Sequence, residues 1–169
     1  MSSKPIEKIS SKSTNVVIAG LGGQGVLKAS DILADVAFSA GLDVKKSDVH
    51  GMSQRGGSVA SDVRFGQRVF SPMVPQGEAD FLMVIAPDQV EVNRAVLAPG
   101  GVLIQPSQID ESALPNKKSL NVALLGILSL LLPFPVEAWT AALDRNLPEK
   151  LHEANRKSFY LGRNVGQSK

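Results

Sequence analysis

A chain of 169 residues with a formal charge of +2 has the size of one domain, and its basic residues run no longer than pairs such as Lys45-Lys46 and Lys117-Lys118, which argues against a nucleic-acid partner. Hydrophobic residues make up 43% and aromatics only 5%, so the core has to be aliphatic, enough for a packed domain of this length. The absence of cysteine excludes disulfides, a thiol nucleophile and cysteine ligands for an iron–sulfur cluster within this chain.

Residues 1–14 are rich in Ser and Lys and read as a mobile tail. They carry no apolar segment of the secretion-signal kind, so the expected location is the cytoplasm. Asn15 to Ala19 is a near-continuous apolar run, as expected of a strand buried on both faces. Gly20-Leu21-Gly22-Gly23-Gln24-Gly25 follows it directly. A helix is expected next, from about Gly25 to Ala40. Val26, Ala29, Ile32, Leu33, Val36, Ala37 and Ala40 recur there at helical spacing, and Gly41 stands at the C-cap.

Strand, glycine turn and helix in that order open a βαβ unit. Gly20 and Gly22 allow a sharp turn and bring N–H groups close to a ligand, and Gly25 lets the helix sit against the strand. Free N–H groups and the positive end of the helix dipole then face an anion. The spacing matches the dinucleotide fingerprint, which also needs an acidic residue about 20 positions further on. Asp43 has the spacing but starts the second strand, and Asp48 ends that strand but comes late. The hexapeptide alone is consistent both with an anion or nucleotide site and with a tight turn that binds nothing.

Leu42 to Val49 reads as the second strand, followed by His50-Gly51-Met52-Ser53-Gln54-Arg55-Gly56-Gly57. This loop has donors and glycines but no core period, and it lies at a strand's carboxyl end, where open α/β sheets place ligands. Arg55 is a permanently charged fork suited to carboxylate or phosphate, and His50 is the side-chain type whose ordinary titration range lies near neutral pH. The alternative is a structural loop with a solvated Arg55. His152 lies far from His50, so no histidine-rich metal site is visible.

Ser58 to Phe65 alternates, Gly66-Gln67 forms a two-residue turn, and Arg68 to Ser71 returns as the second arm of an antiparallel hairpin. Asp80 to Ala86 is a third buried strand. A short helix runs from Pro87 to about Leu97 and is ended by Pro99-Gly100-Gly101; Val102 to Gln105 is a further strand. Residues 106–118 read as a polar linker. Leu120 to Leu132 is a helix of uniform hydrophobicity, too short to span a bilayer, and more than one surface has to cover it. A partner or a second copy of the chain is one source of that cover, giving a symmetric homodimer when the chain is alone. Two more helices follow, 136–147 and 148–162, with Trp139 in the core or at an interface and a frayed tail at 163–169. The fold expected is α/β: one domain over residues 15–162, three layers α/β/α, with a mostly parallel mixed sheet that includes an antiparallel hairpin.

Three stretches together carry a resemblance: Gly20 to Val26 with Gln24 inside the glycine turn, Ser47 to Val59 with its His-Gly-Met-Ser-Gln-Arg-Gly-Gly run, and the Val63 to Pro72 segment. They resemble the gamma-type subunit or domain of the 2-oxoacid:ferredoxin (acceptor) oxidoreductases, over about residues 15–162. The His50 to Gly57 run is similar to the indolepyruvate branch. The resemblance implies a subunit inactive by itself. The holoenzyme would decarboxylate a 2-oxoacid on thiamine diphosphate, pass electrons through iron–sulfur clusters to ferredoxin and give the acyl group to coenzyme A. Thiamine diphosphate and clusters would sit in an alpha-type partner subunit, with no cofactor, no catalytic residue and no metal in this chain. Gly20, Gly22, Gly23, Gln24 and Gly25, with His50, Gly51, Ser53, Gln54, Arg55, Gly56 and Gly57, would form a ligand or interface site. Two other readings stay open at this point: a free-standing NAD- or FAD-binding module, and a purely structural subunit.

Overall fold

The computed structural model describes residues 12–50 and 57–168. A five-stranded sheet organises them, in the order β2-β3-β1-β4-β5. The strands are β1 (Thr14–Leu21), β2 (Asp43–His50), β3 (Ser58–Gly66), β4 (Ala79–Val84) and β5 (Leu97–Ile104). β1 pairs with β4 and β4 with β5 in parallel, whereas β3 is antiparallel to both β1 and β2. β1 is central, and Asn15 to Gly20 are all buried, as their apolar run predicts.

The two faces of the sheet are covered unequally. Val16, Ile18, Val63, Phe65 and Met83 point into the larger core. There they meet the long helices α1 (Val26–Ser39), α3 (Leu120–Ser129), α4 (Val136–Asn146) and α5 (His152–Gln167). Val17, Ala19, Leu82 and Val84 point the other way, onto Val74, Val90 and Val96. That face is thus covered by the segment after Pro72 and by a short helical stretch, 87–96, whose α-helical part is α2 (Val90–Asn93). The α/β architecture with a mixed sheet is as expected; the second helical layer is thin.

The hairpin is not where the sequence pattern puts it. β3 pairs with β2 through the 51–57 connection, and Arg68 to Ser71 form no strand. Both edges of β3 are already occupied, by β2 and β1, so a returning arm has no backbone groups to pair with. The chain after Gly66 crosses the end of the sheet instead, with Val69 N–H donating to the Asp43 carboxylate at 2.8 Å. β5 begins at Leu97 and includes Pro99-Gly100-Gly101, which were expected to precede it. A register shift against β4 absorbs them, and Pro is tolerated because β5 is an edge strand. Residues 106–118 are not a loose linker. They form three short helical turns tied by side chains: Gln108 Oε1 accepts from Gln105 N at 2.8 Å, Asp110 Oδ1 from Ser112 N at 3.0 Å, and Asn116 Oδ1 from Lys118 N at 2.9 Å.

Every residue of α3 is buried, yet no partner chain is needed to bury it. α5 crosses it so closely that a Cβ on Gly126 would overlap the Phe159 carbonyl and one on Gly162 the Ala123 carbonyl. The residues expected to fray, from Arg163 on, belong to α5 as far as Gln167, and Arg163 Nη1 donates to Ser129 Oγ at 2.8 Å. The apolar face that motivated a homodimer is therefore covered within the chain. Trp139 lies in the core, in a row of rings: Phe65–Phe134 at 5.6 Å, Phe134–Trp139 at 6.4 Å and Trp139–Phe159 at 6.1 Å between centroids. α1 is fixed to α4 by Arg145, which donates to both carboxylate oxygens of Asp35 at 3.0 and 2.8 Å. Arg145 holds the Asp35 carboxyl below its ordinary range; burial opposes the shift, and bonds from Asn146 and Ser39 add to it. No helix among the described residues is long and apolar enough to cross a membrane.

Candidate functional site

The glycine turn leaves the carboxyl end of β1 at the centre of the sheet. Its unusual backbone falls on Gly23 and Gly25, with φ of 87° and 83°, not on Gly20 and Gly22. Gly20 is the penultimate residue of β1, where a Cβ would come within 2.9 Å of Gln24 Oε1 and 3.0 Å of Val26 Cγ2. Gln24 folds back and accepts from Leu21 N–H at 2.7 Å, while its own N–H donates to Leu21 O at 3.2 Å. The residue that made the turn distinctive thus closes the turn on itself.

Gly25 is the N-cap of α1 and accepts the helix's first backbone bond, from Ala29 N–H at 3.0 Å. The same carbonyl accepts from Asn121 Nδ2 at 3.1 Å, an α3 residue remote in sequence. A Cβ on Gly25 would run into that carboxamide. The amides of Gly23, Gly25, Val26, Leu27 and Lys28 have no backbone or side-chain acceptor among the described residues, and no side chain caps the helix. These N–H groups and the helix dipole make the turn receptive to an anion.

Two cavities flank the turn. One, of about 260 Å³, lies on the side of Val59 and Lys28. The other, of about 240 Å³, lies between Gln24, Ile85 at the end of β4, and Glu111, Lys117 and Lys118. The two lysines and Glu111 come from the stretch that reads as linker in the sequence, so their place beside the turn was not foreseen. Nor was Asn121, because its helix reads as almost uniformly apolar; a carboxamide in the first turn of that run was the signal.

Of the second stretch, Gly57 is described, and its carbonyl accepts from Gly22 N–H at 2.8 Å. The two glycine-rich segments therefore meet. The reason differs from a simple βαβ unit: β3 lies between β1 and β2, and its first residue, Ser58, sits opposite Leu21. His50 ends β2 opposite Val59. Gly51, Ser53, Gln54, Arg55 and Gly56 lie outside the described residues.

The acidic partner that a dinucleotide fingerprint needs is not presented. Asp43 sits at the start of β2 and accepts from Val69, which keeps its carboxyl low. Asp48 accepts from Ser61 Oγ and lies 3.4 Å from Lys46 Nζ. An antiparallel β3 occupies the position beside β1 where a dinucleotide fold places a parallel strand.

Fold and turn define an α/β domain whose anion-receptive turn lies at the carboxyl end of its central strand. The family profile "Pyruvate ferredoxin/flavodoxin oxidoreductase" matches residues 15–118, and the chain belongs to that family. It is 34% identical to the indolepyruvate oxidoreductase subunit IorB of Thermococcus kodakarensis, over 89% of this chain and 95% of that one. The keto/oxoacid ferredoxin oxidoreductase gamma subunit of Geobacter sulfurreducens has the same fold: TM-score 0.71, 23% identity, 92% of this chain and 99% of that one. So does part of the 2-oxoglutarate:ferredoxin oxidoreductase of Magnetococcus marinus, solved with 2-oxoglutarate, coenzyme A and succinyl-CoA bound. There the TM-score is 0.78 at 20% identity, over 94% of this chain and 32% of that one.

Proposed function

We propose that this chain is the small subunit of an indolepyruvate-type 2-oxoacid:ferredoxin oxidoreductase, in which the glycine turn and the Arg55 loop hold an anionic part of coenzyme A or of the oxoacid. The observation that carries the reading is the near-full-length similarity to an indolepyruvate oxidoreductase subunit. The bond from Gly22 N–H to Gly57 O supports a composite site, since it joins the two segments that would form it. The net reaction consumes a 2-oxoacid, coenzyme A and two oxidised ferredoxins, and yields acyl-coenzyme A, carbon dioxide, two reduced ferredoxins and a proton. Thiamine diphosphate supplies the carbanion chemistry when bound. It and the clusters would belong to an alpha-type partner, as the family resemblance implies, and for the clusters this agrees with a chain that has no cysteine to ligate iron.

This chain's part is binding and orientation. The free amides of Gly23, Gly25, Val26, Leu27 and Lys28 offer donors without reorganisation, Lys28, Lys117 and Lys118 add positive charge around the turn, and Arg55 supplies a bidentate fork. The assembled enzyme with Arg55→Ala is expected to show a Michaelis constant for coenzyme A or the oxoacid raised by roughly ten- to a hundredfold, as loss of a charge-assisted contact implies. Arg55→Lys, which keeps the charge but loses the fork, is expected to fall between the two. Wild-type Michaelis constants for both substrates in the assembled Arg55→Ala enzyme would refute the anion role and leave the loop as contact surface for the partner.

A further inference from the structure

The two edges of the sheet differ. β5 carries Pro99-Gly100-Gly101 and a register shift against β4, features that spoil an edge for further pairing. β2 has neither: its 8 residues, Asp43–His50, pair with β3 in one unbroken register. Its other edge meets no strand among the described residues, so alternate N–H and C=O groups along it lack a strand partner. Large apolar side chains are exposed around that edge. Phe38, 72% exposed, lies in the last turn of α1, and Phe70, 81% exposed, follows the Val69 that Asp43 holds. Val49, 56% exposed, lies near the end of β2.

Charge on an edge strand normally keeps a second strand away. Here the charges are arranged symmetrically. Lys46 and Asp48 flank Ser47 and share the face of the sheet on which α1 lies; Lys46 Nζ is 2.7 Å from Asp31 Oδ1 and 3.4 Å from Asp48 Oδ1. A two-fold axis through Ser47 pairs β2 antiparallel with β2 of a second copy. Ser47 then stands opposite Ser47, Lys46 opposite Asp48 and Lys45 opposite Val49. Directly opposite residues share a face, so two Lys46–Asp48 pairs form across the join. Moving the axis to residue 46 or 48 sets Lys46 against Lys46 or Asp48 against Asp48, so the charges select one register. The start of each strand, with Phe38 and Phe70, comes beside the end of the other, with Val49. We propose that β2 is a docking edge for a second copy of this chain, the two sheets joining about Ser47 into one continuous sheet. A two-fold pairing of this kind closes on itself and stops at the dimer. The inference stands on the β2 edge and does not depend on the oxidoreductase reading.

The test is sedimentation equilibrium of the full chain and of two charge reversals, Lys46→Asp and Asp48→Lys, with circular dichroism to check that each folds. The unaltered chain is expected to form a dimer that weakens as salt rises. Each reversal alone sets like charges opposite one another and is expected to weaken the dimer at least about tenfold. An equimolar mixture of the two variants is expected to recover it, because every pair across the join is again opposite in sign; a reversal that only damaged the fold would not be rescued this way. The chain has no cysteine of its own, so Ser47→Cys gives a clean cross-link. Directly opposite Cα atoms of antiparallel strands lie roughly 4.5–5.5 Å apart, within disulfide reach, and Ser47→Cys is expected to oxidise to a covalent dimer. Lys45→Cys, set opposite Val49, is not. A chain that stays monomeric at high concentration, its β2 edge covered by a different subunit in the assembled enzyme, would overturn the proposal. So would a dimer indifferent to both reversals, or cross-linking of Lys45→Cys in preference to Ser47→Cys.

Discussion

Gly25 and Asn121 form the pair of residues on which the glycine turn rests. Gly25 has a φ that L side chains avoid, and a Cβ there would also meet the Asn121 carboxamide. Gly25→Ala is expected to cost about 1–3 kcal/mol from backbone strain, with a further cost from the overlap. Asn121→Ala alone loses a bond to a buried carbonyl, about 1 kcal/mol. In the double variant Asn121→Ala removes the overlap, so the costs should sum to more than the double variant shows. Urea unfolding of all four proteins measures this, and strict additivity would show that the two residues do not touch. The sequence made the glycine spacing and the odd Gln24 legible. It could not show that Gln24 closes the turn or that Asn121 supports it, because the second contact spans 96 positions.

Asp35 gives a pH test at the same scale. Its folded carboxyl is held below the ordinary value, chiefly by Arg145, so its contribution is present above the unfolded value of about 3.9 and is lost as pH falls through the folded value. Asp35→Asn should destabilise the chain by about 1 kcal/mol at pH 7, since Arg145 is half exposed, and by much less near pH 2. Thermal melts at the two pH values check this; an equal loss at both would mean that charge is not what Asp35 contributes. Asp62 has the opposite sign. Burial raises its carboxyl, so its ionisation opposes folding as pH rises past the ordinary carboxylate range.

Among the elements, the crossing of α3 and α5 is the tightest contact. Gly126 and Gly162 bring two backbones together, and the carbonyls that a methyl would meet cannot swing aside as a side chain does. Gly162→Ala is expected to destabilise by about 2–4 kcal/mol, above what overpacking a side-chain neighbour typically costs. Gly166→Ala faces only the Leu130 side chain and should cost less. Chemical denaturation of both variants separates the cases, and equal costs would show that α5 shifts freely on α3. The hydrophobicity of α3 was plain in the sequence, but its cover was not: glycines in a polar-looking α5 give no apolar signal. The strand edges show the same limit. Alternation correctly marked β3 as a half-buried strand, yet nothing local says that its neighbours are β2 and β1, so the hairpin was placed one segment too late.

For the whole molecule, strand–helix alternation was enough to give the α/β class, and three stretches, two of them glycine-rich, were enough to give the family. The insertion of an antiparallel β3 beside β1 was not legible, and it is what separates this domain from a dinucleotide-binding fold. On the proposed reading, in which this subunit binds and orients, the chain should contribute nothing catalytic by itself and be needed by its partner. The decisive measurement is indolepyruvate- and coenzyme A-dependent reduction of ferredoxin by the thiamine- and cluster-bearing subunit, with and without this chain. Turnover only when both are present is the expected result. Equal turnover by the large subunit alone, or a fully assembled pair that reduces no ferredoxin with any 2-oxoacid, would contradict it.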